Sequence, residues 1–245
     1  MNILEAYIRF KNQLIIIISG PSGSGKTSIA KNLAKAFNIK YINQFQYYKP
    51  DYNEMIPRPD GTEILNYNND DALDWTNFNQ KVDEYSKSGV IISAFTLPHD
   101  KINFRVDYHV HLSVSKQSYI NIRNKYLTEH KDKYPDEYAE IDTDIYRWKI
   151  NRNYSYYLES AKKMHISKYI NISDSNSNEE IFNILWDDII NNYIFNYVEK
   201  FKNSPEYLEW KKLNNTKELS PESENILNSQ DSPISSESQD SRLNS

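Results

Sequence analysis

The sequence contains no cysteine, and this absence excludes several kinds of protein. Without cysteine, the 245 residues hold no disulfide bond and no metal site built on thiolates. The fold must therefore be stabilised by a hydrophobic core, and a chain of this length is long enough to bury one.

Long apolar runs and an excess of basic residues are also missing. No apolar stretch approaches the roughly 20 residues of a membrane span, and Glu5 precedes any apolar run, unlike in a signal peptide. The 34 acidic residues outnumber the 29 basic ones, and the net charge of −5 argues against a general nucleic-acid-binding protein. We therefore expect a soluble cytoplasmic protein with neither a membrane nor a nucleic acid as its partner.

Glycine is scarce, and its placement is informative. Three of the five glycines lie close together at Gly20, Gly23 and Gly25, in a segment that matches the phosphate-binding pattern G-x-x-x-x-G-K-[ST]. Four successive isoleucines precede the segment, as in a strand buried on both faces. Apolar residues at helical spacing follow it from Ile29 to Phe37. This context favours a P-loop over a chance glycine turn.

A P-loop binds the phosphates of a nucleoside triphosphate. Glycine lets the backbone bend so that its N–H groups point at the phosphates, and the positive end of the following helix lies beneath them. We expect ATP as the nucleotide, with Lys26 at the β- and γ-phosphates and the Thr27 hydroxyl on Mg²⁺. The expected nucleotide-binding residues are Gly20, Pro21, Ser22, Gly23, Ser24, Gly25, Lys26, Thr27 and Ser28.

Segments of strand character alternate with helical patterns along the chain. Strands are predicted at 14–19, 39–42, 89–93, 107–114 and 168–172. This alternation is typical of an α/β fold, and we predict a doubly wound, mostly parallel five-stranded sheet. In the fourth strand, His109 and His111 are interpreted as ordinary strand histidines rather than a metal pair, because no third ligand is near in sequence.

The connections between these strands contain helices and one long loop. Proline, asparagine and aspartate between residues 50 and 70 predict the loop, and Asn69 or Asp70 is expected to begin the helix that follows it. Further helices are predicted around 115–128 and 139–166. Ser177 and Glu180 form a capping box that opens the last helix. Its expected inner face consists of Ile181, Ile184, Leu185 and Ile189, and it is expected to extend to about Phe201.

The composition changes near residue 214. From there to Ser245 the chain is dominated by serine, asparagine and acidic residues, which bury too little apolar surface to offset the entropy of ordering. We predict a P-loop domain at 1–213 and a disordered tail at 214–245. The tail is a candidate for binding a protein partner, and a solvated tail without function is an equal alternative.

Two segments after the P-loop resemble the uridine kinase and nicotinamide riboside kinase family. The first is Tyr47-Tyr48-Lys49-Pro50, and the second is Asn66-Tyr67-Asn68-Asn69-Asp70-Asp71-Ala72-Leu73-Asp74-Trp75. They are similar to the family's "Asp-x-Phe-Tyr-Lys-Pro" and "Asn-Tyr-Asp-x-Pro-x-Ala-Leu-Asp-Trp" segments, and the likeness runs loosely from Leu14 to Tyr193. The P-loop alone also resembles that of guanylate kinases and gluconate kinases. The resemblance implies a kinase that uses ATP and Mg²⁺ to phosphorylate a small nucleoside-like substrate, such as nicotinamide riboside or uridine.

The resemblance also implies roles for particular residues. It places Tyr48 and Tyr67 at the wall of the substrate pocket and Asn68 where the family has its ribose-binding aspartate. It makes Arg123, from a lid with few basic residues, a catalytic residue together with Lys26. These assignments are what the family pattern implies for the matching positions.

Three carboxylates of the family pattern are replaced in this sequence, one of them by Asn68. The catalytic aspartate falls on Phe45, or on Gln46 if the register shifts by one, and the glutamate of the third strand falls on Ser93. Neither Phe45 nor Gln46 can act as a general base. Two further hypotheses therefore stay open: a nucleotide-binding module that has lost catalysis and acts through a partner, and a P-loop kinase of another small metabolite.

Overall fold

The computed structural model describes residues 3–202, 204, 205, 207, 208 and 212. Contacts within the chain separate a unit Met1–Val198 from the rest, which begins at Glu199. The predicted tail at 214–245 lies outside the described residues. The predicted domain boundary after residue 213 is not tested, and both stay predictions.

The described part of the chain contains a five-stranded sheet and a small hairpin. In chain order the strands are β1 (Ile15–Ser19), β2 (Lys40–Asn43), β3 (Met55–Pro57), β4 (Glu63–Leu65), β5 (Val90–Ala94), β6 (Tyr108–Val114) and β7 (Lys168–Ile172). The sheet has the order β2-β5-β1-β6-β7 with all neighbours parallel, and β3 and β4 form an antiparallel pair. The predicted parallel five-stranded sheet is therefore confirmed.

Helices connect the strands and cover both faces of the sheet. They are α1 (Ile3–Lys11), α2 (Lys26–Phe37), α3 (Trp75–Ser86), α4 (Lys116–Glu129), α5 (Pro135–Ala139), α6 (Asp144–Lys162), α7 (Asn178–Asp187) and α8 (Phe195–Lys202). A π-helical segment, Asp188–Ile194, joins α7 to α8, and short 3₁₀ turns occupy Gln44–Tyr47 and Asp70–Ala72. No helix within the described residues is both long enough and apolar enough to cross a bilayer.

The core is arranged around β1. Ile16 and Ile18 point into the cluster that α2 and α7 cover, while Ile15 and Ile17 point into the cluster that α3 covers. All four side chains are fully buried, as the run of isoleucines predicted. Burial on both faces holds β1 rigidly in place, and its carboxyl end therefore delivers the P-loop at a fixed position.

Four expectations from the sequence are wrong at particular residues. Helix α3 begins at Trp75 rather than near residue 70, because Asp74 caps it by accepting from the Asn77 N–H. Asn69 instead caps the 3₁₀ turn before it. Ile184 is 46% exposed, whereas the other three expected inner-face residues of α7 are buried. The predicted 50–70 loop contains the hairpin β3–β4, and the helix predicted at 139–166 begins only at Asp144.

Candidate functional site

The loop between β1 and α2 has the backbone geometry of a phosphate-binding loop. Gly23 and Gly25 adopt positive φ angles of 86° and 75°, which residues with a side chain rarely adopt. A Cβ on Gly23 would lie 3.0 Å from Cγ2 of Ile122, and a Cβ on Gly25 would clash with the side-chain oxygen of Asn178. The glycine spacing thus serves both the turn and the close approach of neighbouring helices.

Two features of this loop suit an anionic ligand. Gly25 caps α2 without any side-chain hydrogen bond, so the first N–H groups of that helix are left for a ligand. The Ser24 hydroxyl is buried and has no hydrogen-bond partner among the described residues. A buried unsatisfied hydroxyl is unfavourable, and a phosphate oxygen would satisfy it.

Lys26 lies at the centre of the loop and is almost fully buried, with 4% of its surface exposed. Its ammonium donates a hydrogen bond of 3.1 Å to the Pro21 carbonyl and lies 5.6 Å from the centre of the Phe45 ring. Burial, with a smaller contribution from Arg123, lowers the pKa of Lys26 to about 7. No carboxylate lies within 4 Å of this ammonium among the described residues, so a bound polyphosphate would supply its missing counter-charge.

A cleft of about 1060 Å³ opens in front of the loop. Its walls come from the loop, α4, the segment after α4 and the β7–α7 connection. The basic residues that line it are Lys26, Lys31, Arg123, Lys125 and Lys133, and the acidic ones are Glu129 and Asp174. This excess of positive charge favours a polyanion, although the chain as a whole is acidic.

Arg123 reaches the cleft from α4. Its guanidinium forms an ion pair of 2.5 Å with Glu137 of α5 and lies 5.5 Å from the centre of the Tyr126 ring. Arg123 and Lys26 therefore line one cleft. The ion pair also ties α4 to α5, so these two helices together form the wall that faces the loop.

The oxygen atoms beside Thr27 allow a test of the expected Mg²⁺ site. The hydroxyl of Tyr41, near Thr27, lies 2.7 Å from Ser93 Oγ, and Asn43 Oδ1 lies 3.5 Å from that same oxygen. These are neutral oxygens, and no cluster of three potential acidic, histidine or cysteine ligands occurs within the described residues. Such a set fits a Mg²⁺ that is held mainly by nucleotide phosphates and water, with Thr27 as the protein ligand.

The two positions considered for the missing aspartate differ in their surroundings. Phe45 lines the cleft and faces Lys26, whereas Gln46 does not line it. Asp70 and Asp71, which lie in the neighbouring segment, are engaged elsewhere: Asp70 accepts from Tyr156 and pairs with Lys163, and Asp71 pairs with Lys101. The described residue that faces Lys26 from this turn is therefore an aromatic ring.

Two of the three expected substrate-binding residues, Tyr48 and Tyr67, form an aromatic cluster with Phe45. The ring of Tyr48 stacks on Phe45 at 5.7 Å and packs edge-on against Tyr67 at 5.1 Å. Asn68 donates a hydrogen bond of 2.8 Å to the side-chain oxygen of Asn153 on α6. Phe45 is the residue that this aromatic cluster shares with the phosphate cleft. Phe45 and Tyr67 are 41% and 47% exposed, so their rings are open to a ligand.

Some residues of the site carried no signal in the sequence. Asn178 contacts the P-loop at Gly25, and Asn153 fixes Asn68, but both come from distant helices. A lone asparagine on a helix predicts nothing by itself. Only the fold shows that these two asparagines reach the site.

His109 and His111 both form hydrogen bonds with Ser19, the last residue of β1 before the loop. The His109 Nδ1 group donates to the His165 carbonyl at 3.1 Å, so its Nε2 accepts from the Ser19 hydroxyl at 2.7 Å. Ser19 Oγ then accepts from the Nδ1–H of His111, also at 2.7 Å. The two histidines support the carboxyl end of β1 from the neighbouring strand.

The fold and the loop define the class of this chain, a P-loop nucleotide-binding α/β protein. Within that class, residues 16–131 match the family model of cytidylate kinase. The cytidylate kinase of Fusobacterium nucleatum is 28% identical over 120 residues, which cover 46% of this chain and 51% of that protein. The cytidylate kinase of Borreliella burgdorferi is 26% identical over 156 residues, 62% of this chain and 67% of that protein.

Solved structures give weaker likenesses. A gluconokinase from Sinorhizobium meliloti has 13% identity and a TM-score of 0.44, and covers 76% of this chain and 97% of its own. A shikimate kinase from Bacteroides thetaiotaomicron has 16% identity and a TM-score of 0.45, and covers 73% and 99%.

The sequence matches support a P-loop kinase of the nucleotide or small-metabolite type. They do not show the uridine or nicotinamide riboside specificity that the family resemblance implied, because the matching model and relatives are cytidylate kinases. The chain spans about half the length of the first of these relatives.

Proposed function

We propose that this protein is an ATP-dependent phosphotransferase that acts on a small nucleoside-like acceptor. The observation that carries the proposal is the continuity of two surfaces through Phe45: a basic phosphate cleft with Lys26 at its base, and an aromatic cluster with Tyr48 and Tyr67. Phosphoryl transfer needs a donor and an acceptor next to each other, and this arrangement provides adjacent places for both.

The donor side has the parts that a nucleoside triphosphate requires. Loop N–H groups and the start of α2 would bind the phosphates, Lys26 would neutralise the β- and γ-phosphates, and Arg123 would offset charge on the transferred group. Thr27 and the nucleotide phosphates would hold a Mg²⁺ ion, which would further neutralise the phosphate oxygens.

The acceptor side suits a flat aromatic base attached to a ribose. The exposed rings of Phe45 and Tyr67 offer stacking surfaces, and the amide of Asn68 can bind a diol if it leaves Asn153. Uridine and nicotinamide riboside follow from the family resemblance, and cytidine monophosphate follows from the cytidylate kinase matches. Each of these acceptors places a ribose next to a ring.

Catalysis would rest on positioning and charge neutralisation. No carboxylate faces Lys26 among the described residues of the cleft, and general base catalysis typically contributes about 10²–10⁴-fold. We therefore expect slow transfer rather than none, since most of the catalysis of phosphoryl transfer comes from positioning and electrostatics.

The same ring over Lys26 favours a second candidate function. Phe45 cannot accept a proton from a substrate hydroxyl, and a module that only binds a nucleotide does not need a residue that can. Such a module would bind ATP and Mg²⁺ and act through a partner, with the tail at 214–245 as a candidate contact.

A transfer assay separates these functions. The full chain is incubated with ATP, Mg²⁺ and, in turn, uridine, nicotinamide riboside, cytidine monophosphate and gluconate, and phosphorylated acceptor is quantified by mass spectrometry. We expect slow product formation with one of the first three acceptors and none with Lys26→Ala, which controls for a contaminating kinase. Product with gluconate alone would instead indicate a kinase of another small metabolite. Binding of ATP without transfer to any acceptor would support the non-catalytic module.

A further inference from the structure

Phe45 is held in a defined position beside Lys26, and the loss of a general base does not by itself account for that position. It belongs to the 3₁₀ turn Gln44–Tyr47 that follows β2, and its backbone N–H donates to the Asn43 side chain at 3.2 Å. Its ring stacks on Tyr48 at 5.7 Å, and the ring centre lies 5.6 Å from Lys26 Nζ. The turn, the cap and the stacking hold the ring in one place.

The ammonium of Lys26 needs a stabilising neighbour. It is nearly fully buried, donates one hydrogen bond among the described residues, to the Pro21 carbonyl, and experiences repulsion from Arg123. A buried cation with so few partners is unfavourable. The negative face of an aromatic ring within about 6 Å attracts such a cation.

A ring and a carboxylate would affect the bound nucleotide differently. A carboxylate at position 45 would neutralise Lys26 and compete with phosphates for it. A ring has no net charge, so it can hold the ammonium in the cleft while leaving that charge for a polyphosphate. It also covers the ammonium from water, which strengthens the attraction between the lysine and the phosphates.

We propose that Phe45 is a positioning residue that holds the Lys26 ammonium in the cleft by a cation–π contact, ready for the β- and γ-phosphates. This inference rests on the proposed binding of a nucleoside triphosphate at the loop. It assigns Phe45 a role in binding the donor nucleotide, where the family pattern would have a residue that acts on the acceptor.

The test compares the affinities of three variants for ATP with Mg²⁺ by calorimetry on the full chain. Phe45→Leu removes the ring, Phe45→Trp keeps an aromatic face, and 3,4,5-trifluorophenylalanine at position 45 keeps the shape but withdraws electron density from the face. We expect roughly five- to thirty-fold weaker binding with Leu and an intermediate loss with the fluorinated ring. We expect affinity at least equal to that of the native chain with Trp.

Two controls separate positioning from a structural role. Phe195→Leu is the same change at a similarly exposed ring outside the cleft (45% against 41%), and it should leave ATP affinity unchanged. The second control repeats Phe45→Leu in a Lys26→Ala background, where it should leave ATP affinity unchanged because the ring acts through the ammonium, whereas damage to the whole site would weaken binding in both backgrounds.

Equal ATP affinity for native, Leu and fluorinated chains would overturn the inference, as would tighter binding with Leu. An equal loss of ATP affinity in the native and the Lys26→Ala backgrounds would overturn it too, because it would indicate structural damage. Failure of the native chain to bind ATP at all is a different outcome, since it would contradict the proposed function itself.

Discussion

The side-chain amide of Asn68 donates a hydrogen bond of 2.8 Å to the side-chain oxygen of Asn153. This contact joins the segment before α3 to helix α6. It places the residue expected to bind a ribose diol within reach of the aromatic cluster formed by Tyr48 and Tyr67. The contact leads to a prediction about the acceptor.

Asn68→Ala should raise the KM for the acceptor by roughly fivefold to tenfold and leave the KM for ATP unchanged. One hydrogen bond of this kind is worth about 1–1.5 kcal/mol. Asn153→Ala is the matched control, because it removes the same internal contact but keeps Asn68 available to the acceptor. Equal effects of the two variants on acceptor KM would show that the hydrogen bond matters only for the fold.

Arg123→Ala should lower kcat by roughly 10²-fold, since it removes a positive charge from the place where phosphate charge develops. Steady-state kinetics on the most active acceptor would measure this. Lys116→Ala is the control: it is an exposed basic residue on the same helix, α4, outside the cleft.

The ion pair of Arg123 with Glu137 provides a second variant. Glu137→Gln removes the partner but keeps the arginine, so kcat should not fall. A loss in Glu137→Gln as large as that in Arg123→Ala would mean that the arginine acts only by tying α4 to α5.

Local sequence patterns predicted the features of the fold that depend on neighbouring residues, such as strand burial and helix capping. The isoleucines of β1 are buried on both faces, and Ser177 and Glu180 form the capping box that their spacing indicated. Helix α1 was not predicted, although Leu4 and Tyr7 pack into the core, because nine residues give a weak pattern. Ile184 keeps the apolar spacing of α7 but lies on its exposed side, and no local pattern distinguishes that side.

The candidate site was predictable to a similar degree. The loop residues and Lys26 follow from one motif, since the chemistry needs them at fixed spacing. The contact of Phe45 with Lys26 depends on how β2 and β1 are ordered in the sheet, with β5 between them. No pattern local to residue 45 contains that information.

Buried histidines should make stability depend on pH. Burial lowers the pKa of His109 to about 3, with the charge of His111 as the next cause. Burial also lowers the pKa of His111 to about 4, with the charge of Lys26 as the next cause. An unfolded histidine has a pKa of about 6.5, so below that pH the unfolded state binds more protons than the folded state. The contribution of these histidines to the free energy of unfolding should therefore be complete above pH 6.5. It should decrease as the pH falls towards 4, by up to about 1.4 kcal/mol per pH unit for each histidine.

Urea unfolding at pH 7.5 and pH 5 would measure this decline. His111→Phe removes one titrating group, keeps a ring against Tyr157 and leaves Ser19 bonded to His109. Its stability should fall less between the two pH values than that of the native chain, while the carboxylates contribute equally to both. An equal decline in the two proteins would contradict the assignment of His111 as neutral in the folded state.

The most direct test of the central claim is calorimetric titration of ATP with Mg²⁺ into the native chain, Lys26→Ala and Lys35→Ala. Lys35 lies on the same helix, is exposed and does not line the cleft, so it controls for the loss of one positive charge. We predict binding by the native chain and by Lys35→Ala with equal affinity, and roughly ten- to hundred-fold weaker binding by Lys26→Ala, because a charged hydrogen bond to phosphate is lost. Unchanged affinity in Lys26→Ala, or no binding by the native chain, would contradict the assignment of this loop as the site of a nucleoside triphosphate.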